Sequence, residues 1–280
     1  MKRIDLHVHS TYSDGTLTPT ELVELAHSRK IKAMAISDHD SIDGLVEGRE
    51  AAKKYNIRFI NAIELSSFVD EREVHILAYF FHNELDSLAR ELSDIKQQRE
   101  DRNKEMASRF SRYGVEITYN DIIHASGGNV ITRAHFAKVL TEKKYTDTFE
   151  QAFKKYLLPD SPSSVYVERL RLAPEKTLKM IQASNGISVL AHPIRYGLDI
   201  RGIERLIIKL SNMGLNGIEA QYSSYNKINE IELTNLAKKY NLKITGGSDF
   251  HGAIKPHINL GDGTEKTIIP YAILDKLEQH

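Results

Sequence analysis

Short apolar runs alternate with amphipathic segments along most of the chain. The apolar runs have the length and composition of β-strands and occupy residues 3–8, 33–37, 58–65, 74–80, 187–192, 217–220 and 242–249. Several of the helical patterns between them end at Gly or Asn, which readily adopt the left-handed conformation of a helix C-terminus. In the first helical segment, Thr18 and Glu21 have the spacing of a capping box. The alternation predicts an α/β fold with a mostly parallel sheet, compatible with a closed barrel.

One long stretch departs from this rhythm. Residues 84–168 carry a long charged helical pattern, two shorter helical patterns and no clear strand. We therefore predict a helical insertion over residues 84–168 in a barrel made of residues 1–83 and 169–280. A chain of 280 residues is long enough for such an arrangement.

Composition excludes several classes of protein and site. Lys+Arg and Asp+Glu are equal at 38 each, so no net field attracts nucleic acid or an acidic membrane. The absence of cysteine excludes disulfides, thiolate zinc sites and thiol nucleophiles. No apolar signal region opens the chain, and no stretch approaches the roughly 20 apolar residues of a membrane helix. We expect a cytoplasmic protein with no membrane association and infer no obligatory protein partner.

Residue types that bind metals recur at the strand ends. His7 and His9 share one face of the first strand because side chains alternate along a strand. Asp14 lies in the turn after this strand. Other candidates follow or interrupt the later strands: His39, Glu64, His75, His192, Asp249 and His251. The carboxyl ends of barrel strands are where catalytic groups gather. Asp38 and Asp40, on either side of His39, could orient imidazole ligands.

A structural role has to be weighed for each of these residues. A single histidine on an apolar strand is more often packed and hydrogen-bonded than bound to a metal. Recurrence on six strands changes this, because many imidazoles and carboxylates at one end would be costly to bury without a metal. The nitrogen and oxygen ligands suit Zn, Mn or Fe, and nine candidates suffice for two or three divalent ions sharing a carboxylate.

Six motifs in order resemble the PHP (polymerase and histidinol phosphatase) family. They are DLHVHSTYSDG, SDHD, AIELSS, EVHILAYF, VLAHP and GGSDFHG, and the resemblance covers about 1–82 and 170–252. It implies a distorted (β/α)7 TIM-like barrel with a helical cap insertion and a centre of two or three metal ions. Such a centre would clamp a phosphoryl group while an activated water attacks it.

The resemblance also implies a division of the ligands. A first ion would be held by His7, His9, Glu64 and Asp249. Glu64 would bridge to a second ion, held also by His75 and His192. A third would be held by Asp14, His39 and His251, where family members often have His in place of Asp14. The attacking water would be held by the ions bound to Glu64, Asp249 and His192.

The insertion resembles that of the small-nucleotide branch of the family. This branch includes 3',5'-nucleotide bisphosphatases and 5'-3' exonucleases of short RNA, in which the insertion caps the metal face. ITRAHFAKVL resembles the cap motif R-P-H-I-A, with Arg133 and His135 in register and Ala134 in place of Pro. We expect substrate contacts from Arg102, Arg133, His135 and Arg195.

The predicted function is therefore metal-dependent hydrolysis of a phosphomonoester in a small nucleotide. The preferred substrate is the 3'-phosphate of a nucleoside 3',5'-bisphosphate. A 5'-3' exoribonuclease acting on short RNA and a histidinol-phosphatase-like enzyme are the alternatives. The balanced charge and the absence of Trp favour a mononucleotide over an oligonucleotide. A regulatory module without activity is disfavoured because the ligand set is complete.

Overall fold

The computed structural model describes residues 2–83, 85–127, 130–168 and 172–279. The chain forms two compact units, one made of Met1–Arg90 and Arg171–His280 and the other of Glu91–Leu170. The domain limits predicted from the sequence, 83/84 and 168/169, border on residues 84 and 169–171, which lie outside the described residues.

Seven strands form one sheet in the first unit, in sequence order. They are β1 (Arg3–Val8), β2 (Ile31–Ile36), β3 (Arg58–Val69), β4 (Arg72–Phe80), β5 (Ile187–Leu190), β6 (Gly217–Tyr222) and β7 (Lys243–Gly247). Each lies where the apolar pattern predicts a strand. The sheet is mixed, because β4 runs antiparallel to both of its neighbours, whereas the other neighbouring pairs are parallel.

The sheet curls until its first and last strands meet. Beyond the end of β7, the Asp249 backbone N–H donates to the carbonyl oxygen of His7 (2.9 Å). The His9 N–H donates in turn to the Phe250 carbonyl (3.0 Å). These bonds nearly close the ring, and the predicted distorted seven-strand barrel is confirmed.

The helices follow the strands as the alternation predicts. They are α1 (Pro19–Ser28), α2 (Leu45–Tyr55), α3 (Asp86–Arg109), α4 (Tyr119–Ser126), α5 (Arg133–Glu142), α6 (Phe149–Ala152), α7 (Pro174–Ala183), α8 (Ile200–Ser211), α9 (Lys227–Lys239) and α10 (Ala272–Glu278). Thr18 and Glu21 form the predicted capping box of α1. No helix in the described ranges is long and apolar enough to span a membrane.

Two apolar layers hold the barrel. Its interior is filled by Ile4, Leu6 and residues of the other strands, among them the small side chains Ala33, Ala35 and Ala62. Outside, α1 and α2 pack on the opposite face of β2 through residues such as Leu22 and Met34. Apolar residues thus fill most of the barrel interior.

The second unit is helical. The described residues from 85 to 168 contain helices and no strand, and the insertion over residues 84–168 remains a prediction. Its core joins Phe110, Phe136 and Leu140, all fully buried, with neighbours on α4 and α6. The unit thus has an apolar core of its own.

Candidate metal centre

One rim of the barrel carries the nine residues that the sequence suggests as metal ligands. The strands and the loops that follow them supply His7, His9, Asp14, His39, Glu64, His75, His192, Asp249 and His251. They form four overlapping groups, and within each group one potential ligand atom per residue lies within 4.8 Å of the others. Their side chains are buried or nearly so.

One of the four groups contains the ligand set predicted for a third ion, Asp14, His39 and His251, with His9 in addition. One group joins His9, Asp14, His39 and His251; a second His7, His9 and Asp249; a third His7, Glu64 and His192; and a fourth His39, Glu64 and His75. His7, His9, His39 and Glu64 each belong to two groups, so neighbouring groups share residues. The assignment of individual ions remains a prediction.

Glu64 lies at the middle of the cluster. Its Oε1 is 2.9 Å from His75 Nδ1 and 2.9 Å from His192 Nε2. Its Oε2 is 3.2 Å from both His9 Nε2 and His39 Nδ1. The two oxygens of one buried carboxylate therefore face different sets of imidazoles, as a bridging ligand requires.

The donor atoms fit a metal ion better than they fit one another. His7 Nε2 and His9 Nε2 are only 3.1 Å apart, so two nitrogens of like character converge on one point. Asp249 Oδ1 lies 3.2 Å from His9 Nε2 and 3.6 Å from His7 Nε2. Imidazole nitrogens and carboxylate oxygens without thiolate suit Zn, Mn or Fe. The residues present are compatible with the metals expected.

For Glu64, Asp249 and His9, neighbouring opposite charges affect the pKa more strongly than burial does. Burial raises the pKa of Glu64, but His39 and the other imidazoles lower it further, and the net result lies well below the usual range. Burial also opposes the low pKa of Asp249, which Lys255 and neighbouring imidazoles produce. The pKa of His9 is about 9 because carboxylates overcome the effect of burial. The pKa values of His7 and His75 are also raised, whereas burial lowers those of His39 and His192. Without ions, only some of the imidazoles are therefore protonated, and metal binding to these must release protons.

Irregular backbone aims several of these side chains. From Asp5 to Val8, β1 advances three positions while β2 advances only two, from Met34 to Ile36. Such a bulge redirects side chains on the longer strand, and His7 lies within it. His192 and Asp249 have positive φ angles, 29° and 56°, which are rare outside glycine and concentrate at functional sites.

The direction of β4 explains the place of His75. The sequence pattern predicts the candidate ligands at the carboxyl ends of strands, whereas His75 lies near the start of β4. Because β3 and β4 form an antiparallel hairpin, with Ser66 opposite His75, the beginning of β4 reaches the rim where the parallel strands end. The expected rim is therefore right, and the expected strand end is wrong for this residue.

Three residues without a predicted role support the ligands. Glu219 on β6 lies 3.0 Å from His7 Nδ1. Tyr222 Oη donates to Asp249 Oδ2 (2.5 Å), and Lys255 Nζ donates to the same oxygen (2.6 Å). An acidic residue inside an apolar strand was a signal for Glu219, but nothing in the sequence singled out the tyrosine or the lysine.

The aspartates beside His39 support the loops. Asp38 accepts hydrogen bonds from the backbone and hydroxyl of Ser10 (2.7 and 2.6 Å) and from Ser13 Oγ (2.6 Å). Ser13 Oγ is 3.4 Å from His9 Nδ1, so Asp38 reaches an imidazole only through this hydroxyl. Asp40 accepts the Ser66 backbone N–H (2.9 Å).

Residues 5–169 match the PHP domain family. The chain belongs to this family. Membership confirms the predicted class of enzyme, a metal-dependent phosphoesterase. The TIM-like barrel and the resemblance drawn from the six motifs are confirmed with it.

The relatives of this PHP protein are similar over most of their length. A 5'-3' exoribonuclease of Haemophilus influenzae is 33% identical over 250 residues, 89% of this chain and 90% of that protein. A 3',5'-nucleoside bisphosphate phosphatase of Chromobacterium violaceum is 32% identical over 252 residues, 90% of this chain and 88% of that one. The structure of a C. violaceum amidohydrolase with bound sulfate and no metal has a TM-score of 0.86 at 30% identity, covering 99% and 96% of the chains.

Of the four predicted substrate-binding residues, Arg195 lies at the centre. Its Nη1 donates to Tyr222 Oη (2.7 Å) and Asp249 Oδ2 (3.2 Å). The side chain is 49% exposed, so part of the guanidinium still faces solvent. This placement suits a group that pairs with an incoming anion.

The other three predicted substrate-binding residues of the PHP protein belong to the helical unit. Arg102 is buried, and its Nε donates to the Val167 carbonyl (2.8 Å). His135 Nδ1 accepts the Thr132 N–H (3.0 Å) in the N-terminal cap of α5. Arg133 lies over two aromatic rings, with centroids 6.0 and 5.7 Å away. Each has a structural role within its own unit, and substrate binding by these residues remains a prediction.

Proposed function

We propose that this PHP protein removes the 3'-phosphate from nucleoside 3',5'-bisphosphates. The observation that carries the proposal is the convergence of nine potential metal ligands at one rim of the barrel. The substrate is supported by the similarity to a 3',5'-nucleoside bisphosphate phosphatase over 90% of the chain.

We assign the ligands to two or three divalent ions, of Mn, Zn or Fe. His7, His9, Glu64 and Asp249 would hold the first, and His75 and His192 would share Glu64 with the second. Asp14, His39 and His251 would hold the third. When bound, ions of this kind lower the pKa of a water ligand and neutralise charge on a phosphoryl group.

The protein itself would orient and neutralise the substrate. Arg195 and Lys255 are cations that already contact Asp249 Oδ2, with Nη1 at 3.2 Å and Nζ at 2.6 Å. A phosphate beside Asp249 would lie within reach of both. An arginine fork binds phosphate through paired hydrogen bonds, whereas a lysine acts as a point charge. These two residues would hold the phosphoryl group while Tyr222 keeps Asp249 in place.

A second candidate is 5'-3' hydrolysis of short RNA. The H. influenzae relative, named a 5'-3' exoribonuclease, is as similar as the phosphatase relative. The balanced charge of 38 basic and 38 acidic residues favours the mononucleotide, since extended strands are usually bound by basic grooves with aromatic platforms. A cytoplasmic location and the absence of an obligatory partner remain expectations.

A substrate panel tests the proposal. The protein is reconstituted with Mn, Zn or Fe, and its metal content is measured by elemental analysis, with at least two ions per chain expected. Release of phosphate is then compared for nucleoside 3',5'-bisphosphates, mononucleotides, histidinol phosphate and 5'-phosphorylated short RNAs. The highest kcat/KM is expected for the bisphosphates. A higher value for RNA would favour the second candidate, and less than one ion per chain would refute the metal centre.

A further inference from the structure

We propose that Glu219 is a positioning residue that presets one ligand of each of two neighbouring ions. This inference rests on the proposed metal centre, but Glu219 is not among its ligands. Glu219 would orient two ligand residues while remaining outside the ligand set.

The contacts of Glu219 are made by its two separate oxygens. The residue lies on β6 and is fully buried. Its Oε1 is 3.0 Å from His7 Nδ1, and its Oε2 accepts the His192 backbone N–H at 2.8 Å. His7 is assigned to the first ion and His192 to the second, so one carboxylate contacts a ligand of each.

The first contact selects a tautomer. An ionised carboxylate only accepts hydrogen bonds, so it requires a proton on His7 Nδ1. In the neutral ring the free lone pair then lies on Nε2. That nitrogen faces the centre, 3.4 Å from Glu64 Oε2 and 3.6 Å from Asp249 Oδ1. Glu219 thus turns the metal-binding nitrogen of His7 toward the proposed ions.

The second contact fixes a strained backbone. His192 has φ 29° and ψ 54°, a left-handed backbone conformation that non-glycine residues rarely adopt and that the surrounding structure must hold. Pro193 follows it, and a residue before proline prefers an extended conformation. The bond from the His192 N–H to a buried carboxylate helps to hold this conformation, which places the ring nitrogen Nε2 2.9 Å from Glu64.

Replacement of Glu219 by glutamine tests both contacts at once. A glutamine has one acceptor oxygen and one donor nitrogen, whereas both groups facing Glu219 require an acceptor. If the amide nitrogen faces His7, the proton on that ring moves to Nε2 and blocks metal binding. If it faces His192, two N–H groups oppose each other. Either way, an isosteric change disturbs one of the two ions.

The measurement is metal affinity by equilibrium dialysis of the reconstituted full-length protein with Zn²⁺ or Mn²⁺, followed by elemental analysis. Loss of a carboxylate that orients a metal-bound histidine typically weakens binding about 10- to 100-fold. We expect E219Q to show this loss for at least one of the first two ions. Any ion held by Asp14, His39 and His251 should bind as in the wild type, because Glu219 contacts none of these residues in the described structure.

Tyr79 provides a matched control. It is fully buried in the same interior, and its hydroxyl donates to the Leu6 carbonyl (3.0 Å) rather than to a ligand side chain. Y79F also removes a buried polar contact, so it reports how far general loosening of the barrel lowers metal affinity. Circular dichroism and thermal melting of both variants show whether the fold is retained. Y79F is expected to keep wild-type affinity.

Four results would overturn the inference. Wild-type affinity in E219Q would show that the contacts have no effect on the ions, and equal losses in E219Q and Y79F would indicate a merely structural role. If E219Q does not fold, E219D is measured in its place, since aspartate keeps both acceptor oxygens but has a shorter side chain. Wild-type metal affinity in E219D would also overturn the inference. Absence of metal from the wild type would overturn the proposed function together with this inference. Failure of the inference alone is recognised by a wild type that binds metal and an E219Q variant that binds it equally well.

Discussion

Substitution of Arg195 should weaken catalysis without removing the ions. Its guanidinium donates to Asp249 Oδ2 and Tyr222 Oη, yet the side chain is 49% exposed. We interpret the exposed part as the surface that pairs with phosphate. R195M removes the charge and the donors while keeping an unbranched side chain, and R195K keeps the charge but loses the fork.

The expected loss of kcat/KM in R195M follows from the hydrogen bonds that Arg195 would make to phosphate. A hydrogen bond to a charged group contributes about 1.5–3 kcal/mol. Since about 1.4 kcal/mol is a factor of ten, loss of one such bond to the transferring phosphoryl group lowers kcat/KM about 10- to 150-fold. R195K should lie between R195M and the wild type. The bound metal should not change, because Arg195 is not a proposed ligand.

The assay combines kcat/KM on a nucleoside 3',5'-bisphosphate with elemental analysis of the same preparation. Y222F is the matched variant, since it removes a neutral donor from the same Asp249 oxygen (2.5 Å) and one acceptor of Arg195, but keeps the charge of Arg195 and its contact with Asp249. If R195M lost metal together with activity, as a defect in Asp249 would cause, Arg195 would act through that carboxylate and not on phosphate. An unchanged kcat/KM would refute the reasoning altogether.

H192A and D249N should each lower turnover by orders of magnitude while circular dichroism remains that of the wild type, and near-normal turnover would remove these residues from the centre. R133A should weaken nucleotide binding more than it slows hydrolysis of a simple aryl phosphate, and equal losses would show that Arg133 does not recognise the nucleotide. The bond from Lys143, with that from Thr118, lowers the pKa of Asp121 to about 2, so its carboxylate stabilises the fold above about pH 4 and this contribution disappears as the pH falls through 2. D121N should cost about 1 kcal/mol in urea unfolding of the metal-free protein at pH 7, because the exposed pair is screened, and an undiminished cost at pH 2.5 would contradict this assignment.

The strands of the barrel were predictable because each coincides with a short, largely apolar run between helical patterns. In β2 and β5, residues on both faces of the strand are buried. Such strands give a nearly continuous apolar run in the sequence, which is typical of a sheet covered on both sides. The direction of β4 was not predictable. Its turn with β3 falls at Asp70, whose φ is 55°, and neither Asp70 nor Glu71 forms one of the short sequences that mark a hairpin.

The ligand candidates were predictable for a chemical reason. Histidines and carboxylates are costly to bury, so each one next to an apolar strand stands out against its surroundings. The supporting residues are of ordinary kinds for their positions. A tyrosine such as Tyr222 on an apolar strand and a lysine such as Lys255 in a loop need no explanation from sequence. Their roles depend on a distance to Asp249 that only the fold sets.

The backbone of β6 shows why that distance could not be derived from pattern alone. Glu219 and Tyr222 are three residues apart, and strict alternation would place them on opposite faces of the sheet. However, Glu219 pairs with Thr245 of β7 and Gln221 pairs with the next residue, Gly246. The β6 strand therefore contains one extra residue at this point. This bulge reverses the alternation, and both side chains reach the centre, Glu219 at His7 and Tyr222 at Asp249. Since β1 has a similar irregularity at His7, the centre is assembled where the ladder is broken on two strands. A pattern of period two can find such strands, but it assigns the wrong face to residues beyond a bulge.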